Sequence, residues 1–138
     1  MIRGVHHINF LVRDLEEAIA RHERLLGVRI ERIDELAGRG VRIARFRAGP
    51  TWIALVQPVA DGEPMRHLER HGEGFFLISY DVDDVERAAT TARAAGARTT
   101  SAAPRTGLDG WQVIDIDPAD AGGVIIQFCE DKAAGSRA

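Results

Sequence analysis

Val5-His6-His7-Ile8-Asn9-Phe10-Leu11-Val12-Arg13-Asp14-Leu15-Glu16-Glu17-Ala18 and Phe75-Phe76-Leu77-Ile78-Ser79-Tyr80-Asp81-Val82-Asp83-Asp84-Val85-Glu86-Arg87-Ala88 are two copies of one pattern. At an offset of 70 residues Ile8 meets Ile78, Val12 meets Val82, Asp14 meets Asp84, Glu16 meets Glu86 and Ala18 meets Ala88. One residue of slippage then aligns Gly27-Val28-Arg29 with Gly96-Ala97-Arg98. Each copy reads as strand, turn, helix and glycine stop, the internal repetition that decides a fold before any single motif does.

Working outward, Val5 to Val12 is apolar on both faces and reads as a covered strand. Asp14 with Glu17 three residues on is a capping box. Leu15, Ala18, Ile19, His22, Leu25 and Leu26 follow at helical spacing, and Gly27 suits a left-handed stop. Ile30 to Asp34 reads as a strand and Glu35 to Gly40 as a hinge. Val41 to Phe46 and Trp52 to Val56 flank a hairpin at Ala48-Gly49-Pro50. Pro58 to Gly74 connects the halves, with a short helix from Pro64 to His71. The second copy continues with a helix from Asp83 or Asp84 to about Ala95 and a short strand at Arg98 to Ser101. A loop at Ala102 to Asp109 leads to strands at Trp111 to Ile116 and Val124 to Phe128. Asp131 to Ala138 reads as a loose polar tail.

Composition narrows the class. The 138 residues carry 18 Lys+Arg against 21 Asp+Glu, a net charge of −3. Such a balance argues against a nucleic-acid partner, which usually needs a basic surplus. One cysteine, Cys129, excludes an internal disulfide and a Cys-cluster zinc site. No apolar run approaches the ~20 residues that span a bilayer, and Met1-Ile2-Arg3-Gly4 lacks a signal-peptide plan. The expected setting is cytoplasmic, without a membrane partner.

His6-His7-Ile8-Asn9-Phe10-Leu11-Val12-Arg13-Asp14-Leu15, Leu25-Leu26-Gly27-Val28, Glu73-Gly74-Phe75, Val82-Asp83-Asp84 and Gly122-Gly123-Val124-Ile125-Ile126-Gln127, taken in order, resemble the vicinal oxygen chelate superfamily. This is the glyoxalase, methylmalonyl-CoA epimerase and bleomycin-resistance group. The resemblance implies an α+β fold in which two βαβββ modules form a curled, mixed, eight-stranded sheet around a cavity. It implies one glyoxalase-like domain over 1–138, with a first module at 1–58, a connecting segment at 59–73, a second module at 74–130 and a tail at 131–138. It also implies a homodimer.

Metal-using relatives place four inward ligands on four strands. Position by position these fall at His7, Ala54, Leu77 and Gln127. Alanine and leucine offer no donor, so no metal and no cofactor are expected. Gln57 lies an odd number of residues past Ala54 and points to the other face. Strand alternation puts His7, Asn9 and Leu11 on one face, Phe75, Leu77 and Ser79 on another, and Ile125, Gln127 and Cys129 together.

The expected chemistry is acid–base work by His7, an imidazole that titrates near neutrality, with Gln127 orienting a carbonyl. Asn9, Ser79, Ala54 and Leu77 are expected to line the substrate. Trp52 supplies an apolar floor, Trp111 either a lid or core, and Arg45 and Arg105 grip an anionic group. His6 is expected to point outward. His67 and His71 lie four apart on a helix but lack the glutamate spacing of a metalloprotease. Three functions stay open. They are a metal-independent isomerase or lyase acting on a small carbonyl compound or secondary metabolite, a sequestration protein holding an aromatic ligand, and a metal-dependent epimerase or glyoxalase.

Overall fold

The alternation around His7 becomes strand β1 (Ile2–Leu11) in the computed structural model, which describes residues 1–135. Helix α1 (Leu15–Leu26) starts where the Asp14 carboxylate accepts the Glu17 N–H, and it stops at Gly27 with φ of 67°. Only a residue tolerant of that left-handed conformation ends the helix without strain. The strands β2 (Arg32–Leu36), β3 (Val41–Ala48) and β4 (Thr51–Pro58) follow. Then come α2 (Glu63–His71), β5 (Gly74–Val82) and α3 (Val85–Ala94). Strands β6 (Arg105–Thr106), β7 (Gln112–Asp115) and β8 (Ile125–Glu130) come next, and a short helix α4 (Lys132–Gly135) closes the described residues. The strands hydrogen-bond in the order β2-β3-β4-β1-β5-β8-β7-β6, a mixed eight-stranded sheet of the α+β class.

The chain divides into two compact units: a first unit of His7–Phe76, and a second of Met1–His6 with Leu77–Ala138. In the first, β1 pairs parallel to β4, β4 antiparallel to β3, and β3 antiparallel to β2. In the second, β5 pairs parallel to β8, β8 antiparallel to β7, and β7 antiparallel to β6. The repeated order of elements thus becomes a repeated order of pairing.

Each unit buries one face of its strands under its helix. In the first, Val12, Leu15, Ala18, Ala44 and Leu55 form a cluster with Phe10, Ile19 and Ile30 around it. In the second, Val82, Val85, Ala88, Ala89 and Ile114 do the same with Phe128. Burying each large side chain contributes ~1.5–3 kcal/mol. The residues alternating with these are left for the opposite face, which carries the polar groups.

Two strands lie elsewhere than their sequence suggests. The strand expected at Ile30 to Asp34 runs from Arg32 to Leu36. Ile30 packs on the α1 cluster and the Glu23 carboxylate takes its N–H at 3.0 Å, which withdraws it from the ladder. The strand expected at Arg98 to Ser101 is reduced to a bridge between Thr99 and Ile116. Two backbone bonds remain, Thr100 N–H to Asp115 O at 2.9 Å and Asp117 N–H to Arg98 O at 2.8 Å, and side chains supply others. Asp120 accepts the Arg98 N–H at 2.9 Å, and the Arg93 guanidinium donates to Thr99 Oγ1 at 2.7 Å and Ala102 O at 3.0 Å. The ladder resumes at β6, inside the expected loop. The tail also begins later than expected: Asp131 is buried, and 136–138 lie outside the described residues. No helix among the described residues is long and apolar enough to cross a membrane.

Candidate functional site

The polar face of the first unit is built by register. His7 stands opposite Trp52 and Asn9 opposite Ala54 across β1 and β4, and Arg47 faces Trp52 and Arg45 faces Ala54 across β4 and β3. Paired residues share a sheet face, so these six side chains belong to one wall. His7 is 6% exposed and Ala54 is also buried. Asn9 Oδ1 is buried without a hydrogen-bond partner.

Trp52 is not the open apolar floor that the sequence suggests. It is buried, with the Arg45 guanidinium 4.5 Å and the Arg47 guanidinium 4.0 Å from its ring centre. Each is a cation–π contact of ~0.5–2 kcal/mol. Arg45 is 1% exposed, with Asp34 Oδ2 3.8 Å from it, and Glu31 Oε1 lies 3.8 Å from Arg47 Nε. Gln57 lies on the helix side, as its odd spacing requires, and its Oε1 accepts the Leu15 N–H at 3.1 Å. Arg42 pairs with Glu16 at 2.8 Å. His67 packs edge-on to Phe76, with His71 at 4.5 Å between ring centres.

The polar face of the second unit follows the same logic. Ser79 pairs with Gln127 and Gln127 with Asp115 across β5, β8 and β7. The Ser79 hydroxyl donates to Gln127 Oε1 at 2.7 Å, Gln127 Nε2 donates to Asp115 Oδ1 at 2.9 Å, and Arg105 donates to Asp115 Oδ2 at 3.3 Å. Leu77, buried, faces Ile125 one row along. Asp115 is the residue that sequence reasoning missed. Its alternation with Ile114 and Ile116 put it on the Gln127 face, and that signal was available.

His6 is buried rather than outward. Its Nε2 lies 2.8 Å from Asp131 Oδ2, and Trp111 meets its ring edge-on at 4.4 Å between centres. Alternation gives the face of a strand residue but not what covers it. Trp111 is therefore a buried neighbour of His6, and the Asp131 carboxylate is part of the packed structure. Cys129 is buried on the Gln127 face. Burial, then the Asp131 and Asp81 carboxylates, pushes its thiol pKa up.

The four positions at which relatives hold a metal do not fit one here. Ala54 and Leu77 are buried and carry no donor atom. Gln127 has its oxygen on Ser79 and its nitrogen on Asp115. His7 is the remaining ligand type, and a divalent ion needs several.

A family model described as Glyoxalase/Bleomycin resistance protein/Dioxygenase superfamily matches residues 6–114. The human mitochondrial methylmalonyl-CoA epimerase is 26% identical over 126 residues, covering 90% of this chain and 72% of the human protein. The uncharacterised protein YqjC of Bacillus subtilis (strain 168) is 24% identical over 127 residues, covering 91% of each chain. The crystal structure of methylmalonyl-CoA epimerase from Mycobacterium tuberculosis superposes with a TM-score of 0.89 at 26% identity, covering 97% of this chain and 93% of that one. The chain belongs to the glyoxalase/bleomycin resistance/dioxygenase superfamily.

Proposed function

We propose that the chain binds a small carbonyl-containing metabolite and moves a proton on it without a metal, as an isomerase or lyase, with His7 as acid and base. The observation that carries this is Asn9 Oδ1, buried without a partner on the same face as the buried His7. An unmet buried acceptor costs ~1–3 kcal/mol unless a bound molecule satisfies it. It calls for an N–H or O–H from the ligand. Turned by half a rotation, the same amide offers N–H to a carbonyl oxygen. A neutral imidazole takes a proton from the carbon beside that carbonyl, and the charge appears on the oxygen. Returning the proton from the same imidazole to a different carbon of the enolate system isomerises the molecule. Losing a group from the neighbouring carbon makes the reaction a lyase. The Arg45 and Arg47 guanidinium groups favour an anionic oxygen or an attached carboxylate.

Sequestration of a flat aromatic ligand has less support. Both tryptophans are buried, and their rings are engaged by Arg45 and Arg47 or by His6. A metal-dependent epimerase would need donors where Ala54 and Leu77 stand. The kinship with methylmalonyl-CoA epimerases makes an acyl thioester, methylmalonyl-CoA first, the substrate to assay. The expected setting is cytoplasmic and the expected assembly a homodimer, which sedimentation checks as twice the 15.1 kDa chain mass.

Proton exchange at the carbon beside the carbonyl, followed in deuterium oxide with a chelator present, tests the chemistry. His7→Ala should lower the exchange rate by about 10²–10⁴ while leaving ligand binding within a few-fold. A wild type that binds thioesters and exchanges nothing, or a His7→Ala protein that exchanges normally, would end the proposal.

A further inference from the structure

We infer that Asp115 locks the Gln127 carboxamide with an N–H turned to a bound molecule, so that this wall of the second unit is a subsite for an acceptor oxygen: a carbonyl, carboxylate or enolate. Gln127 is 3% exposed and Ser79 has no exposed surface, so every donor and acceptor between them must be accounted for. The amide oxygen takes the Ser79 hydroxyl at 2.7 Å, and the amide nitrogen gives one hydrogen to Asp115 at 2.9 Å. A carboxamide has two N–H donors, and those two bonds use one of them.

Asp115 decides the polarity. A carboxylate only accepts, so turning the amide over would set its oxygen 2.9 Å from the Asp115 oxygen, with no hydrogen between them. Ser79 alone would not decide it, because a hydroxyl both donates and accepts. Arg105, bonded to the other carboxylate oxygen at 3.3 Å, balances the charge and holds Asp115 in place. The Arg105 side chain is 32% exposed, so further guanidinium N–H groups stand at the open side of the same wall. Leu77, Ile125 and Val113, by register on the same face, give carbon surface beside these donors.

Together the wall offers donors to the ligand and apolar flanks to its skeleton. It suits an oxygen acceptor and repels a cation at the amide. Asp115 acts through Gln127 and is a positioning residue. This deepens the proposed function, since an acceptor oxygen is what a carbonyl substrate presents. It rests on that proposal only for the class of molecule.

The test follows the Gln127 side-chain amide protons by ¹⁵N–¹H NMR, assigned by their loss in Gln127→Met, while the protein is titrated with oxalate. In the wild type the Gln127 pair should shift in a saturable way. Asp115→Asn, which can donate to the amide oxygen and turn the amide over, should weaken oxalate binding about five-fold or more. Arg105→Gln, a change at a partly exposed side chain that keeps the wall folded, should weaken it by a similar factor. His7→Ala should leave the oxalate response intact while lowering proton exchange by about 10²–10⁴, which separates this inference from the proposed function. A Gln127 pair that ignores oxalate would overturn it, as would an Asp115→Asn protein, folded by its backbone spectrum, that binds oxalate as the wild type does. If Asp115→Asn does not fold, the Arg105→Gln titration decides in the same terms.

Discussion

His67 sits on α2 with its Nδ1 buried and unpartnered, edge-on to Phe76 and close to His71. Burial first, and then the His71 charge, lowers its pKa. The unfolded chain therefore binds more protons than the folded one as pH falls through the ordinary histidine range near ~6.5. Stability should be full above that range and should decline below it. One proton sets the limit, ~1.4 kcal/mol per pH unit. Urea unfolding at pH 7.5 and pH 5 should show a smaller acid loss in His67→Gln than in the wild type, and an equal loss would dismiss the account. His67 was legible in sequence as a helix-face histidine. Its contact with Phe76 was not, because packing across elements leaves no local mark. The same limit hid His6 and Asp131, whose 2.8 Å contact spans 125 residues. By contrast, the face shared by His7 and Asn9 was legible because a strand repeats every two residues, while the pairing of Ser79 with Gln127 joins two strands and depends on register.

The elements repeat in their anchoring as well as in their order. Asp14 accepts the Glu17 N–H and Asp84 the Arg87 N–H, each at 3.1 Å. Each unit's last long strand then ties the first N–H of its own helix. Gln57 on β4 accepts from Leu15 at 3.1 Å, and Glu130 on β8 accepts from Val85 at 2.9 Å. Four helix-end donors are thereby met by side chains. Asp14→Ala and Asp84→Ala should each cost ~1 kcal/mol, and the double variant should lose their sum because the caps share no partner. Chemical denaturation of the three variants checks both values; a double variant no worse than either single one would mean the caps are not independent. The Asp14–Glu17 capping box could be read from spacing alone, and the second cap was narrowed to Asp83 or Asp84. The Gln57 and Glu130 ties could not, since they join residues 42 and 45 positions apart. Nor could β6, which lies in a stretch that reads as loop, while at Arg98 to Ser101 backbone pairing is kept only by Arg98 and Thr100, and Asp120 takes the Arg98 N–H.

Across the whole molecule, the repeat that made the fold legible also locates the positions where donor atoms are missing. Each copy brings two positions to the set that relatives use for a metal. The first copy keeps His7 and has Ala54; the second has Leu77 and a Gln127 whose oxygen and nitrogen are bonded to Ser79 and Asp115. One replaced position would weaken a site, and two without donor atoms leave that set of four positions short of the ligands a hard octahedral ion requires. Mass action makes the consequence measurable. An ion that binds the folded chain at a hundred times its dissociation constant stabilises it by ~2.7 kcal/mol, which for a chain of this size is roughly 5–10 °C in Tm. Millimolar Mn²⁺ or Co²⁺ should therefore leave the melting temperature where the chelator leaves it, and proton exchange should proceed equally in both. A Tm raised by several degrees in the wild type and not in His7→Ala would show that the chain completes a metal site with side chains other than those inherited from its repeat.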